Sequence, residues 1–237
     1  MFLRLSKLSY TYPNSDQPIF QDLNWDLEGP GFFSLFGFSG VGKSTLAKIA
    51  SGDITGYTGH RTTSDSATLL YSHNNERIPG WQTVSEHIAQ VTPPQKARLC
   101  REIAERFSIT ANMDRRFARL SMGQKNRVNV LRYILQDFDL LIGDEILANV
   151  DEPTRNLILF EIKKLFPDKT FLYISHNALE VVKFSKIIFV LPQTPDGIVT
   201  KVLTMPGLDE HAGGETDPRN VERMVFSLLK MAGSGEA

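Results

Sequence analysis

The chain is expected to fold as an α/β protein. A mostly parallel sheet is flanked by helices, with an antiparallel β part at the N-terminus and a helical subdomain inserted in the middle. Three observations predict this. Short apolar runs bounded by glycine alternate with amphipathic helical patterns. A glycine-rich loop joins one of those runs to a helix. Between about Glu76 and Gln136 the strand signal gives way to helical spacing, and strands then return.

Residues 2–12 place Phe2, Leu8, Tyr10 and Tyr12 on one parity and Leu3 and Leu5 on the other, which predicts a strand ending at Pro13. After the Asn14-Ser15-Asp16 turn, Ile19 to Leu27 reads as a second strand. Glu28-Gly29-Pro30-Gly31 then turns the chain into the continuous apolar run Phe32 to Phe36, the pattern of a fully buried central strand. The residues after Lys43 have helical spacing and stop at Gly52, and a strand follows at Ala67 to Tyr71. In the helical middle the best helix begins after Pro93-Pro94 and carries Ala97, Cys100 or Arg101, Ala104 and Phe107 at three to four residue steps. Strands resume at Leu140 to Ile142, Phe171 to Ile174 and Ile187 to Val190, with an amphipathic helix from Pro153 to Phe166. From Pro206 the composition turns to Gly, Asp and Glu before one short helix, Val221 to Met231, read as an appendage. The expected divisions are 1–75 and 136–205 for the two parts of the core, 76–135 for the helical subdomain and 206–237 for the tail.

At 237 residues, 41% hydrophobic and 22% charged, the chain buries a proper core, and neither disorder nor a fibrous class is indicated. Lys+Arg 26 against Asp+Glu 27 leaves a net charge of −1, so no global positive field invites nucleic acid or acidic lipid. The lone Cys100 excludes a disulfide framework and a cysteine-rich metal site and suits a reducing compartment. The start lacks the apolar stretch of a secretory signal, and no run approaches the roughly 20 apolar residues of a membrane span. The expected location is therefore cytoplasmic, with any membrane association made through another protein.

The segment GFSGVGKST, Gly37 to Thr45, matches G-x-x-x-x-G-K-[ST] and sits between a predicted strand and a predicted helix, the context this phosphate-binding P-loop requires. Gly37, Ser39, Gly40 and Gly42 wrap backbone N–H groups around a polyphosphate, and the following helix points its positive end at it. Lys43 is placed to reach the β- and γ-phosphates, Ser44 to give its hydroxyl to Mg²⁺, and Thr45 to bond an α-phosphate oxygen. This loop alone implies a nucleoside triphosphate and a P-loop NTPase core.

Downstream, LSMGQ (Leu120 to Gln124) lies 23 residues before the acidic pair that ends DLLIGDE, counted from Ser121 to Asp144. Ser121 stands where a helix N-cap would, making a second anion-binding helix start with Gly123. This run resembles the signature motif (LSGGQ type) of the ABC ATPases leading into their Walker B strand, and the resemblance extends over about Leu3 to Leu191. It implies that Asp144 holds Mg²⁺ through a water and that Glu145 accepts a proton from the attacking water. His176, 31 residues after Glu145, resembles the switch histidine that bonds the γ-phosphate, and Asp151 the D-loop aspartate. Tyr12 resembles the aromatic that stacks on adenine, with Tyr10 as the competing candidate. In the family Ser121, Gly123 and Gln124 of one subunit close over ATP held by another subunit, so the resemblance implies an ATP-dependent dimer.

Two departures stand out. The family usually continues D-E-P-T-S-A-L-D where this chain reads D-E-I-L-A-N-V-D, with Ile146 in place of proline. No Gln follows the strand before the helical insert, and Ser72, His73 or Asn74 occupies its place. IPGWQTVSEH and the final PRNVERMVFSLL are similar to stretches of nitrate, sulfonate and taurine importer ATPases. That implies a permease partner docking near Ile78 to His87, a solute-binding protein acting indirectly, and a position on the inner face of the membrane. The alternatives are a soluble ABC ATPase of iron–sulfur cluster assembly and a weakly hydrolysing regulatory subunit. Homodimer or heterodimer stays open.

Overall fold

The computed structural model describes residues 1–76, 79–211 and 216–234. Strand β1 (Phe2–Thr11) pairs antiparallel with β2 (Pro18–Glu28), and then β3 (Gly31–Phe36) enters the interior and hands over through the glycine loop to α1 (Lys43–Ser51). β4 (Thr58–Thr63) returns to pair antiparallel with the free edge of β1, completing a three-stranded sheet in the order β2-β1-β4. β5 (Leu69–His73) leads into the helical region of α2 (Val84–Val91), α3 (Ala97–Arg106) and α4 (Met122–Ile134). The chain then alternates through β6 (Leu140–Asp144), α5 (Glu152–Leu165), β7 (Thr170–Ile174), α6 (Ala178–Phe184) and β8 (Ile187–Val190), and ends with β9 (Leu203–Pro206) and α7 (Pro218–Ser234). The second sheet runs β5-β6-β7-β3-β8-β9, parallel throughout except for β9, which pairs antiparallel with β8.

The pleat of the central strands distributes the core. Leu140 and Ile142 of β6 and Leu172 and Ile174 of β7 face one side, where they pack with α1 and the antiparallel sheet. Leu141, Phe171 and Tyr173 face the other side, with α4, α5 and the helical subdomain. Expected and observed elements agree at β1, β2, β3, α1, α3, α5 and β6 to β8 within a residue or three. The fifth strand lies at Leu69–His73 and not at Ala67 to Tyr71. A single 3₁₀ turn, Pro94–Lys96, precedes α3, because a proline fits the first turn of a helix where its missing N–H costs nothing.

β4, α2, α6 and β9 had not been expected. β4 reads TGHRTT and is largely exposed, so backbone pairing to β1 makes it a strand without any apolar alternation. α7 extends the expected tail helix at both ends. It is no loose appendage: Leu228, Met231 and Ala232 are buried against Val181 and Val182 of α6 and against Phe36. β3, β5, β6 and β7 run parallel, so Phe36, His73, Asp144 and Ile174 all end at one edge of the sheet, where open α/β sheets bind ligands.

Candidate nucleotide site

The loop after β3 reaches α1 through Gly42, which sits at φ 106°, a left-handed conformation that a side chain resists. A Cβ there would also lie 2.9 Å from Ile19 Cδ1 and Phe20 Cζ. No side chain caps α1, so the N–H groups of its first turn remain available to an anion. Lys43 is buried and folded back on the loop, its Nζ donating to the carbonyls of Gly37 (2.7 Å) and Phe38 (3.0 Å). Burial lowers its pKa from the ordinary lysine value, opposed by the charges of Glu145 and Asp144.

Asp144 ends β6 almost fully buried, and Tyr71 of β5 donates its hydroxyl to Asp144 Oδ2 at 2.8 Å. Burial first, and then the Asp144 carboxylate, push the Tyr71 phenol far above its ordinary pKa, so it stays a donor. Glu145 follows at φ 53°, a left-handed position uncommon for a residue with a Cβ. It is held there by its N–H donating to the Ile174 carbonyl at 2.9 Å and by its own carbonyl accepting from the Ala148 N–H at 3.0 Å. Glu145 Oε1 lies 3.4 Å from His176 Nδ1, and the imidazole is open to solvent.

Behind His176 a buried polar cluster fixes the turn out of β7. Glu180 accepts from Ser175 Oγ (2.8 Å) and Tyr173 OH (3.2 Å) and pairs with Arg155 at 2.8 Å. Burial raises the Glu180 pKa despite these partners. On the far wall the Tyr12 hydroxyl and Thr45 Oγ1 share a hydrogen bond, and the Tyr12 ring is half exposed. Tyr10 stands edge-on to it, 5.3 Å between centroids, but is buried. Only Tyr12 of the two lines the cleft.

That cleft has a volume of about 350 Å³ and is lined by Tyr12, Ser39, Gly40, Gly42, Lys43, Ser44, Thr45, Glu145 and His176. Ser44 and Asp144 offer hard oxygen donors, the chemistry Mg²⁺ selects. No group of three or more His, Cys, Asp or Glu that could hold a metal occurs among the described residues.

Ser121, Gly123, Gln124 and Asp151 do not line this cleft. Ser121 and Gln124 form a reciprocal capping box at the start of α4: Ser121 Oγ accepts from the Gln124 N–H at 3.3 Å, and Gln124 Oε1 from the Ser121 N–H at 2.9 Å. Asp151 caps α5 by accepting from the Thr154 N–H at 3.1 Å, and Thr154, through its side-chain hydroxyl first and then this backbone bond, lowers the Asp151 pKa.

The three candidates at the end of β5 separate by face. Ser72 turns inward and is buried, its hydroxyl without a protein partner. His73 shares the Tyr71 face, with ring centroids 5.9 Å apart, and is paired in register with Asp144. Asn74 donates its N–H to the Asp144 carbonyl at 3.2 Å, while the residue lines a different cavity of about 390 Å³ beside α4. Of the expected docking stretch, Ile78 lies outside the described residues, and Trp81 is 75% exposed. Tyr71 and the Glu180 cluster had not been anticipated. Both depend on cross-strand and helix contacts that no local pattern announces.

A parallel sheet with a lysine-bearing glycine loop and an acidic pair at the same edge defines a P-loop nucleotide-binding ATPase. The family model described as ABC transporter matches residues 20–148, and the chain belongs to that family, as one of its ATP-binding ATPases. It is 27% identical to an uncharacterized ABC transporter ATP-binding protein of Haemophilus influenzae over 98% of both chains. It is 26% identical to the taurine import ATP-binding protein TauB of Pseudomonas fluorescens, over 97% of this chain and 94% of that protein. A bacterial Atm1-family ABC exporter solved with ATP bound shares the fold, with a TM-score of 0.75 at 20% identity, over 88% of this chain and 39% of the exporter chain. No helix among the described residues is long and apolar enough to cross a membrane.

Proposed function

We propose that the chain is the ATP-hydrolysing subunit of a solute importer, working as one of a pair on the inner face of the membrane beneath a separate permease. The observation that carries this reading is the convergence of Lys43, Ser44, Glu145 and His176 on one cleft, while Ser121, Gly123 and Gln124 lie elsewhere. The Tyr12 ring takes the adenine. Phosphates lie against the N–H groups of Gly40, Gly42 and the first turn of α1, and Lys43 leaves its two loop carbonyls for the β- and γ-oxygens. Ser44, and Asp144 through a water, would hold Mg²⁺, which would supply charge neutralisation for the phosphates. Glu145 takes the proton of the attacking water and His176 donates to the γ-phosphate.

Ser121, Gly123, Gln124 and Asp151 of the second subunit complete the pocket from outside, so ATP itself glues the pair and its hydrolysis releases them. Import is favoured by the taurine import relative and by the importer-like stretch ending at His87. The exposed Trp81 in that stretch supports permease docking there, with a solute-binding protein acting at one remove.

The test is steady-state ATP hydrolysis by the chain and by Glu145→Gln. Loss of a general base typically costs about 10² to 10⁴ in rate, so the variant should bind ATP, hydrolyse it at least a hundredfold more slowly, and accumulate as a dimer in light scattering. An inert wild type would favour the regulatory-subunit reading, which the lack of a Gln after β5 motivates. His73→Ala and Asn74→Ala decide whether either side chain fills that gap: the residue doing so should lower turnover by more than twofold.

A further inference from the structure

α4 carries Ser121 at its start and, in its last turn, Arg132 and Tyr133. Glu76 meets both. Its carboxylate accepts one hydrogen bond from the Arg132 guanidinium and another from the Tyr133 hydroxyl, and the guanidinium also lies over the Tyr133 ring, 4.6 Å from its centroid. The Arg132 and Glu76 side chains are only 13% and 18% exposed. His87 of α2 joins from the third side, with Nε2 3.4 Å from Arg132 Nη1 and Nδ1 3.4 Å from Gln82 Oε1. Burial and then Arg132 lower the His87 pKa, which fits a neutral ring that accepts at Nε2 and donates at Nδ1 to Gln82.

Glu76 is in turn fastened to the hydrolytic edge of the sheet. Its N–H closes a turn onto the His73 carbonyl at 3.3 Å, the Asn74 N–H bonds the Asp144 carbonyl, and His73 pairs in register with Asp144. One carboxylate therefore ties the strand ends bearing Asp144 to the far end of the helix that presents Ser121. Ser121 and Arg132 are eleven positions apart, about 16 Å at 1.5 Å per residue, so a tilt of about 5° at one end moves the other by about 1.4 Å. Misplacement on that scale is enough to cost roughly a hundredfold in rate.

We propose that Glu76 is a positioning residue for ATP hydrolysis, setting the angle of α4 and so the placement of Ser121 over the nucleotide of a second copy, with Arg132, Tyr133 and His87 as its seat. The proposal rests on the reading of α4's first turn as the other half of the nucleotide site. Because Gln82 and His87 belong to the stretch read as the permease contact, the same carboxylate links that contact to the catalytic edge.

The experiment uses the full chain with Glu76→Gln, which keeps the shape and loses the charge, and Tyr133→Phe, which removes one hydroxyl and little else. Three quantities are read: affinity for a fluorescent ATP analogue at chain concentrations where it is monomeric, the ATP-induced dimer fraction in the Glu145→Gln background, and kcat. Both substitutions should leave monomer affinity within twofold, while dimer fraction at saturating ATP and kcat fall at least fivefold, and Glu76→Asp should recover part of the loss. Unchanged kcat and dimer fraction overturn the proposal. So does a fall in monomer affinity that matches the fall in kcat, since the disturbance would then lie in the cleft itself. If the Glu145→Gln chain with Glu76 intact fails to dimerise with ATP, the composite-site reading is lost first, and this proposal with it.

Discussion

Tyr71 gives Asp144 its one protein side-chain donor among the bonds described, and the phenol remains protonated because it is buried beside a carboxylate. A hydrogen bond to a charged acceptor contributes about 1.5 to 3 kcal/mol, which is at least a factor of ten in an equilibrium constant. Tyr71→Phe keeps the ring that packs beside His73 and removes only that donor. Its expected effect is on the geometry of the carboxylate: the Mg²⁺ concentration giving half-maximal hydrolysis should rise about tenfold, and calorimetric titration of Mg²⁺ into the ATP-bound chain should weaken alongside. The thermal unfolding temperature without nucleotide should fall as well, because the buried Asp144 carboxylate is left one donor short. An unchanged Mg²⁺ requirement would show that Tyr71 only fills space. At the neighbouring position Glu145 holds a left-handed backbone, strain of roughly 1 to 3 kcal/mol that persists because bonds to Ile174 and Ala148 fix both its backbone groups. The side chain is thereby aimed at His176 and not along the strand direction.

Helix α4 meets the loop before α5 at Gly123, where a Cβ would lie 2.6 Å from the Asn149 carbonyl oxygen. Backbone cannot yield as a flexible side chain can, so Gly123→Ala should push α4 off this loop at a cost of about 1 to 3 kcal/mol. For a chain of this size that lowers Tm by about 2 to 4 °C per kcal/mol, measurable by calorimetry without nucleotide; an unshifted Tm would mean that the loop gives way freely. At this scale the sequence is uneven in what it discloses. β3, α1, β6 and β7 are legible because each is an apolar run or amphipathic stretch with its own glycine or turn boundary. α2 also carried a signal, the Thr83-x-x-Glu86 capping box, which forms as the pattern implies but opens a helix of only eight residues. β4 and β9 carried none: one is polar, the other ends in proline, and both exist because a neighbouring strand offers an unpaired edge. The site divides the same way. Contiguous groups such as Gly37 to Thr45 could be read directly, whereas Tyr71 beside Asp144 depends on a parallel register between strands separated by the whole helical subdomain.

At the scale of the molecule, the sheet collects Lys43, Asp144, Glu145 and His176 at one edge, while the helical subdomain carries Ser121 on a different surface. On the proposed reading, two chains facing each other in opposite directions would make two equivalent nucleotide sites, each with a loop from one and a helix start from the other. Such an arrangement has a consequence that a self-sufficient pocket does not share. Lys43→Ala and Ser121→Ala should each hydrolyse ATP poorly alone, because every site of either homodimer lacks one half. Mixed together, half of the dimers contain one chain of each kind. In those, one site combines both defects and the other combines the intact loop with the intact helix start. One site in four is then whole, so the mixture should recover about a quarter of wild-type activity if the two sites act independently, and less if they must fire together. The measurement is ATPase rate against mixing ratio, which should peak at equal proportions. A flat line at the level of the separate variants, with both chains folded and Ser121→Ala still binding nucleotide, would mean that copies of this chain do not share their sites.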